Sequence, residues 1–231
     1  MLTSTVTLPD TPTTSVSTVP APFLNGFAAI HDAMRRDAER LPRAVAAVQL
    51  ADQAMALAGW FGRYRVAIEH HHHREDEVVW PDLTARDPGF AEALDQLEAD
   101  HHELDRAMDH VDAELARLAA GDLSHRAAAV EAVDEFATVL HDHLEREESA
   151  AFERIAAAYT EEEYADLEER LNEDATLTEL AFVAPWIADE LDAQVLADLL
   201  QRLPIPLRLA LRFVFTPRYR RLAAPVLAVA R

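Results

Sequence analysis

His71-His72-His73-Arg74-Glu75-Asp76 and His143-Leu144-Glu145-Arg146-Glu147-Glu148 repeat one arrangement: a histidine, a glutamate four residues later, and then a second acid. Each runs on to an aromatic residue nine positions past the histidine, Trp80 in the first copy and Phe152 in the second. Residues four apart lie one above the other on a helical face. Each pair therefore presents an imidazole and a carboxylate together. Two such helices facing each other across a bundle would bring two of each into a small volume. That donor set suits iron, manganese or zinc, and bridging carboxylates suit a pair of ions.

The run His70–His73 offers three such pairs: His71/Glu75, His72/Asp76 and His73/Glu77. Tyr64, Ile68, His71, Glu75, Val78 and Val79 share one helical face, whereas His73 and Glu77 fall opposite. This periodicity selects His71 and Glu75. His70, His72 and His73 are expected to face solvent or to stand behind the ligands. Asp76 and Glu148 are expected to orient ligand imidazoles.

The elements that must position these groups read as helices. A first helix should begin near Phe23, carry Phe27, Ile30, His31 and Met34 inward, and break or bend at Leu41-Pro42. A second should run from about Arg43 to Val79, weakened at Gly59 and Gly62 and closed by Pro81 and the Asp87-Pro88-Gly89 turn. Leu94, Leu97, His101, Leu104, Met108, Val111, Leu115 and Leu118 form the seam of a third, ended by Gly121-Asp122. A fourth, about Ser124 to Tyr159, carries Val133, Phe136, Leu140, His143, Glu147, Ala151 and Ile155 inward. His101 thus interrupts one apolar seam, and His143 with Glu147 continues another. A buried ionised glutamate without a partner costs several kcal/mol, and a cation would compensate it. One histidine on a core face is ordinarily a hydrogen-bonded structural residue. Four on four helices, two with a glutamate one turn later, point to metal.

Composition agrees with helices, since half the residues are apolar and only 5 of 231 are glycine. The absence of Cys excludes disulfides, thiolate sites and iron–sulfur clusters. A formal charge of −21 excludes nucleic acid as the main partner. The charge is uneven: residues 201–231 hold seven Arg and no acid, so the 42 acids and remaining 14 Arg give residues 1–200 a formal −28. Heavy use of Ala and Arg with no Lys suggests a bacterial source. Residues 1–21 read as a disordered arm lacking the basic start and apolar core of a secretory signal. No run approaches the roughly 20 apolar residues of a membrane span. A soluble, cytoplasmic protein is expected.

The ordered elements resemble the hemerythrin-like family, the HHE cation-binding domains. These carry a His on the first helix, H-H-x-x-E-E-x-x-L-F-P on the second, (E/D)-H on the third and H-x-x-x-E-E on the fourth. The matching residues are His31, then His71 and Glu75 with Trp80-Pro81, then His101 after Asp100, then His143 and Glu147. The resemblance covers about residues 22–160. It implies an all-α, up-down-up-down four-helix bundle around two non-haem Fe ions, with Glu75 and Glu147 as bridges. Glu153 stands where the fourth-helix motif often has Pro. Asp105 occupies the position where oxygen-carrying members have a second third-helix His. The implied shell is four His and two Glu, completed by Asp105 or solvent.

The implied function is binding or sensing of a small ligand such as O2, NO or peroxide. The alternative is a di-iron enzyme that decomposes peroxide or NO. A ferritin-like iron oxidase is a minor alternative, because Glu69-x-x-His72 and Glu98-x-x-His101 have that spacing. Residues 161–231 lie outside the resemblance and read as a helical extension. Within it, Glu161–Leu171 forms an acidic helix and Ala184-Pro185-Trp186 starts another, with Ile187, Leu191, Val195 and Leu199 inward. The basic amphipathic stretch Leu203–Phe215 suits an anionic membrane surface. Packing on the acidic bundle as a cap or homodimer contact is the favoured reading.

Overall fold

Pro22 opens a short 3-10 turn, Pro22–Leu24, where its missing N–H is harmless, and this leads into helix α1, Asn25–Ala46. The computed structural model describes residues 19–228, so most of the arm expected at 1–21 lies outside the described residues. Among the described residues every regular element is helical. None is long and apolar enough to cross a membrane.

The expected break at Leu41-Pro42 does not occur. Pro42 sits inside α1 close to its end, and the Ala47 N–H bonds the Arg43 carbonyl beyond it. The second helix accordingly starts at Ala51, not near Arg43. Its start is fixed by the Gln53 side chain, which accepts from the Gln49 and Leu50 N–H groups at 2.7 and 3.1 Å. Helix α2, Ala51–Arg74, passes Gly59 and Gly62 without interruption.

Pro81 does not end this run either. A five-residue π turn, Glu75–Val79, joins α2 to α3, Trp80–Arg86, and Trp80 N–H bonds the Glu75 carbonyl. Pro81 has no N–H for the Glu77 carbonyl and its ring crowds that group, so the wider turn relieves the ladder there. The chain turns at Asp87-Pro88-Gly89 into α4, Ala91–Ala119. Gly121, at φ 95°, ends α4, with Asp122 N–H on the Arg117 carbonyl and Gly121 N–H on that of Leu118. Helix α5, Arg126–Ala158, is unbroken. Glu153, in place of the family's Pro, leaves its hydrogen-bond ladder intact.

Neighbouring long helices run antiparallel. Arg65 and Asp76 of the α2 run meet Asp109 and His101 of α4. Asp100 and His110 of α4 meet Arg146 and Glu135 of α5, and His141 and Glu148 of α5 meet Glu39 and His31 of α1. Two apolar clusters fill the interior. One gathers Met34, Leu41, Trp60, Phe61, Tyr64, Leu104, Met108 and Phe136. The other gathers Phe27, Trp80, Leu83, Phe90, Leu97, Phe152 and Ile155. The histidines and glutamates lie between them along each helix.

The C-terminal region is not an appendage. Helix α6, Glu161–Leu171, caps the second cluster with Tyr164 and Leu167. Helix α7 spans Leu177–Ile187 with Pro185 inside it, correcting the expectation that a helix starts at Ala184. Glu190 turns the chain at φ 63°, and Asp192 accepts from Gln194 and Val195 N–H to start α8, Ala193–Arg202. A further run comprises α9 (Ile205–Ala210), a second π turn (Leu211–Phe215), α10 (Thr216–Leu222) and α11 (Ala224–Leu227). Phe182, Trp186, Tyr219, Ala223 and Val226 join the first cluster, covering the side of the bundle between α1 and α2.

Candidate metal centre

Each long helix delivers its donors where the apolar seam is interrupted. On α1, His31 lies between Phe27 and Met34. On α2, His71 and His72 follow Ile68, and Glu75 opens the π turn. On α4, His101 lies between Leu97 and Leu104. On α5, His143 and Glu147 lie between Leu140 and Ala151. His31, His143 and Glu147 are fully buried, and Glu75, His72 and His101 nearly so.

The donors form two sets, each with its ligand atoms within 4.8 Å of one another: His31, His71, Glu75 and Glu147, and His72, His101 and His143. The two carboxylates face both. Glu75 turns Oε1 to His71 Nε2 at 2.7 Å and Oε2 to His101 Nε2 at 3.8 Å. Glu147 turns Oε1 to His31 Nε2 at 3.6 Å and Oε2 to His143 Nε2 at 3.3 Å. The Nε2 atoms of His31 and His71 point at each other across 2.9 Å. In the second set the rings of His72 and His101 stack with centroids 4.2 Å apart.

These groups have the character of ligands. The Nε2 atoms of His72, His101 and His143, and all four oxygens of Glu75 and Glu147, are buried without a hydrogen-bond partner. Orphaned buried polar atoms are costly, and here they converge. Burial, reinforced by neighbouring imidazoles, holds the pKa values of His71 and His72 well below the usual histidine range. Both therefore stay neutral, the form that ligates. Burial and the adjacent Glu147 push the Glu75 carboxyl well up. Burial would raise Glu147 as well, but His31 and His143 beside it hold it below the usual range. Two carboxylates this close do not both ionise without added positive charge, so the residues fit a cation-binding centre. Nitrogen and carboxylate oxygen donors without thiolates match iron, manganese or zinc.

A ring of carboxylates outside the donors orients the imidazoles. Glu148 Oε1 accepts from His31 Nδ1 at 2.9 Å and from Arg35 at 2.7 Å. Asp76 Oδ2 lies 3.0 Å from His101 Nδ1. Asp100 lies 3.7 Å from His143 Nδ1 and is itself held by Gln96 and Arg146, both at 2.8 Å. Burial raises the Asp100 carboxyl, but Arg146 and Gln96 keep it below its ordinary value.

The structure brings His31, His71, Glu75, His101, His143 and Glu147 together and adds His72. His72 is buried, which corrects the expectation that it faces solvent, and it groups with His101 and His143 as a candidate donor. His71 faces His31 of α1, whereas His72, next in sequence, faces His101 of α4. A single-face periodicity could not register both. The second of the paired histidines in the second-helix motif was the available signal. His73 and Asp105 are exposed and take no part in either set, so Asp105 does not complete the shell. The ferritin-like scheme also fails geometrically. Glu69 pairs with Arg65 at 2.6 Å on the surface, and Glu98 is exposed.

The chain matches the family model described as Hemerythrin HHE cation binding domain over residues 23–155. Neither a curated protein nor a solved structure gave a match. The matched span contains every donor above and more than half of the sequence, and the chain belongs to the hemerythrin HHE cation-binding domain family.

Proposed function

We propose that the chain holds two non-haem iron ions and uses them to bind a small ligand, O2, NO or peroxide. The observation that carries this reading is the division of each bridging carboxylate, with one oxygen of Glu75 and of Glu147 toward each histidine set. His31 and His71 would hold one ion, and His72, His101 and His143 the other. Such a pair supplies reversible uptake of O2 or NO, or two-electron chemistry with peroxide.

The protein's own contribution is asymmetry and dryness. The first set has two imidazoles against three, so an ion held by His31 and His71 would keep more room for a ligand than one held by His72, His101 and His143. The His31 and His71 side is walled by aromatics: the Phe27 ring lies 5.0 Å from His31 and 5.5 Å from His71, and Phe152 stacks 6.0 Å from His31. An apolar wall excludes water and suits a small neutral ligand better than a bulky or charged one.

Protein expressed with ample iron should carry about two iron ions per chain and absorb in the near ultraviolet. A spectrum that changes on O2 or NO exchange and returns on degassing fits the binding reading. Oxygen evolution from peroxide, lost in His143→Ala, would make it an enzyme instead. Metal content well below one ion per chain would overturn both.

A further inference from the structure

The C-terminal run turns one face to the bundle and the other to solvent. Leu211, Tyr219, Ala223 and Val226 are buried. On the opposite face Ile205, Leu209, Phe213 and Val214 are 67%, 52%, 65% and 46% exposed. Ile205, Leu209 and Phe213 recur every four residues along α9 and its π turn and form one ridge. Large apolar side chains exposed in a row mark a contact surface. The other exposed large apolar residues, Leu50, Met55, Val66 and Leu177, make no comparable row.

The margin of the ridge is cationic. Arg212, Arg218, Arg220 and Arg221 are exposed, and no acid occurs after Asp198. Among the described residues none of the four has a carboxylate partner. Arg212 lies over the Phe213 ring, 5.4 Å from its centroid. Arg208, by contrast, is committed to the Leu203 and Gln201 carbonyls.

We propose that this face docks on an anionic lipid bilayer. Ile205, Leu209 and Phe213 enter the boundary between headgroups and acyl chains, and the four arginines meet lipid phosphates. Apolar residues interleaved with arginines on one helical face are what such a surface selects. A second copy of the chain could cover the ridge with its own, but that contact would bring the arginine margins of both copies together with no acid after Asp198 in either to offset them. The acidic bundle repels the same bilayer, but screening beyond about 8 Å at physiological salt limits this to parts that approach closely. The C-terminal face therefore docks and the bundle stays away.

The test is sedimentation of full-length, iron-loaded protein with vesicles of phosphatidylglycerol and phosphatidylcholine in equal parts, or of phosphatidylcholine alone. Binding is expected on the first and not the second, weakening as salt is raised. Arg218→Gln and Arg221→Gln should each lower partitioning about fivefold, from about 1 kcal/mol per basic residue at such a surface. Phe213→Ser should lower it further, with helicity and iron content kept. If Phe213→Ser disturbs the fold, the two arginine variants, fully at the surface, decide alone. No binding to anionic vesicles at low salt, or equal binding to both compositions, overturns the proposal. So does a dimer that Phe213→Ser dissociates while vesicle binding is unchanged.

Discussion

Two polar clusters are buried in this bundle, and they are satisfied in opposite ways. Around Asp37 every demand is met by protein: Arg36 and Trp186 donate to one oxygen at 2.9 and 2.8 Å, and Arg40 to the other at 2.8 Å. Around Glu75 and Glu147 the carboxylates and three imidazole nitrogens face each other with no hydrogen-bond partner. Both clusters lie among tightly packed apolar side chains and both carry charge. Burial of charge alone therefore does not identify a ligand site. Convergence of unpaired donors does. The Asp37 cluster is the fastening that holds α7 to α1, and the His–Glu cluster is built for something the chain does not itself supply.

The contrast can be broken most sharply at the bridges. If the proposed pair is held, Glu75→Ala and Glu147→Ala should each lose both ions, because each carboxylate turns one oxygen to each histidine set; elemental analysis after iron-replete expression reads this directly. His71→Ala and His72→Ala should each weaken one ion, leaving roughly one per chain, whereas His73→Ala should match the parent. Full iron retention in His72→Ala would return that residue to a supporting role.

At Asp37 the effect should be on stability and not on metal. Asp37→Ala removes the carboxylate that Arg36, Arg40 and Trp186 share, leaving Arg40 with Asp189 and Glu190 and Arg36 with the Trp186 and Asp189 carbonyls, and should cost about 3 kcal/mol in denaturant unfolding, with iron content unchanged. The same comparison predicts a reversal of sign. In metal-free protein Glu75→Gln neutralises the carboxyl that burial and Glu147 already push toward its neutral form, and should leave stability equal or higher; with iron it should destabilise by weakening the centre. Asp37→Asn should destabilise in both states, and a reversal there too would erase the distinction. Trp186→Phe, which removes one donor from Asp37, should cost about 1–3 kcal/mol.

The smallest effect belongs to a surface counterpart, Asp82, which accepts from Arg170, Tyr159 and Arg86 and ties α3 to α6. Burial is the largest single influence and opposes its ionisation, but those three partners together depress its pKa below the ordinary 3.8. A depressed carboxylate stabilises the fold above its unfolded value and loses that contribution as pH falls below about 4. The group lies at the surface, partly exposed and screened by solvent, so the loss should stay under about 1 kcal/mol. Asp82→Asn should flatten the acid limb of the stability profile by that much and leave the neutral limb alone.

The sequence by itself determined the helical class, the four seams and the histidine and glutamate that interrupt them, because a helix repeats every 3.6 residues and an ionisable group at a core position stands out from its neighbours. It also announced the end of α4 at Gly121, where a left-handed residue must close the helix. Helix ends at prolines were not legible. Pro42 and Pro81 are both accommodated in continuing helices, one near a terminus and one by a π turn, and local propensity cannot tell accommodation from breakage. His72 was missed for a related reason. Adjacent helical residues point about 100° apart, and only the placement of α2 beside both α1 and α4 lets the two neighbours serve opposite sides of one centre. The C-terminal region was least legible. Its Leu, Arg and Pro pattern is compatible with a cap, a dimer contact or a membrane face. Tertiary packing decides which side of each helix is already covered, and that depends on residues such as Asp37 and Trp186, nearly 150 positions apart.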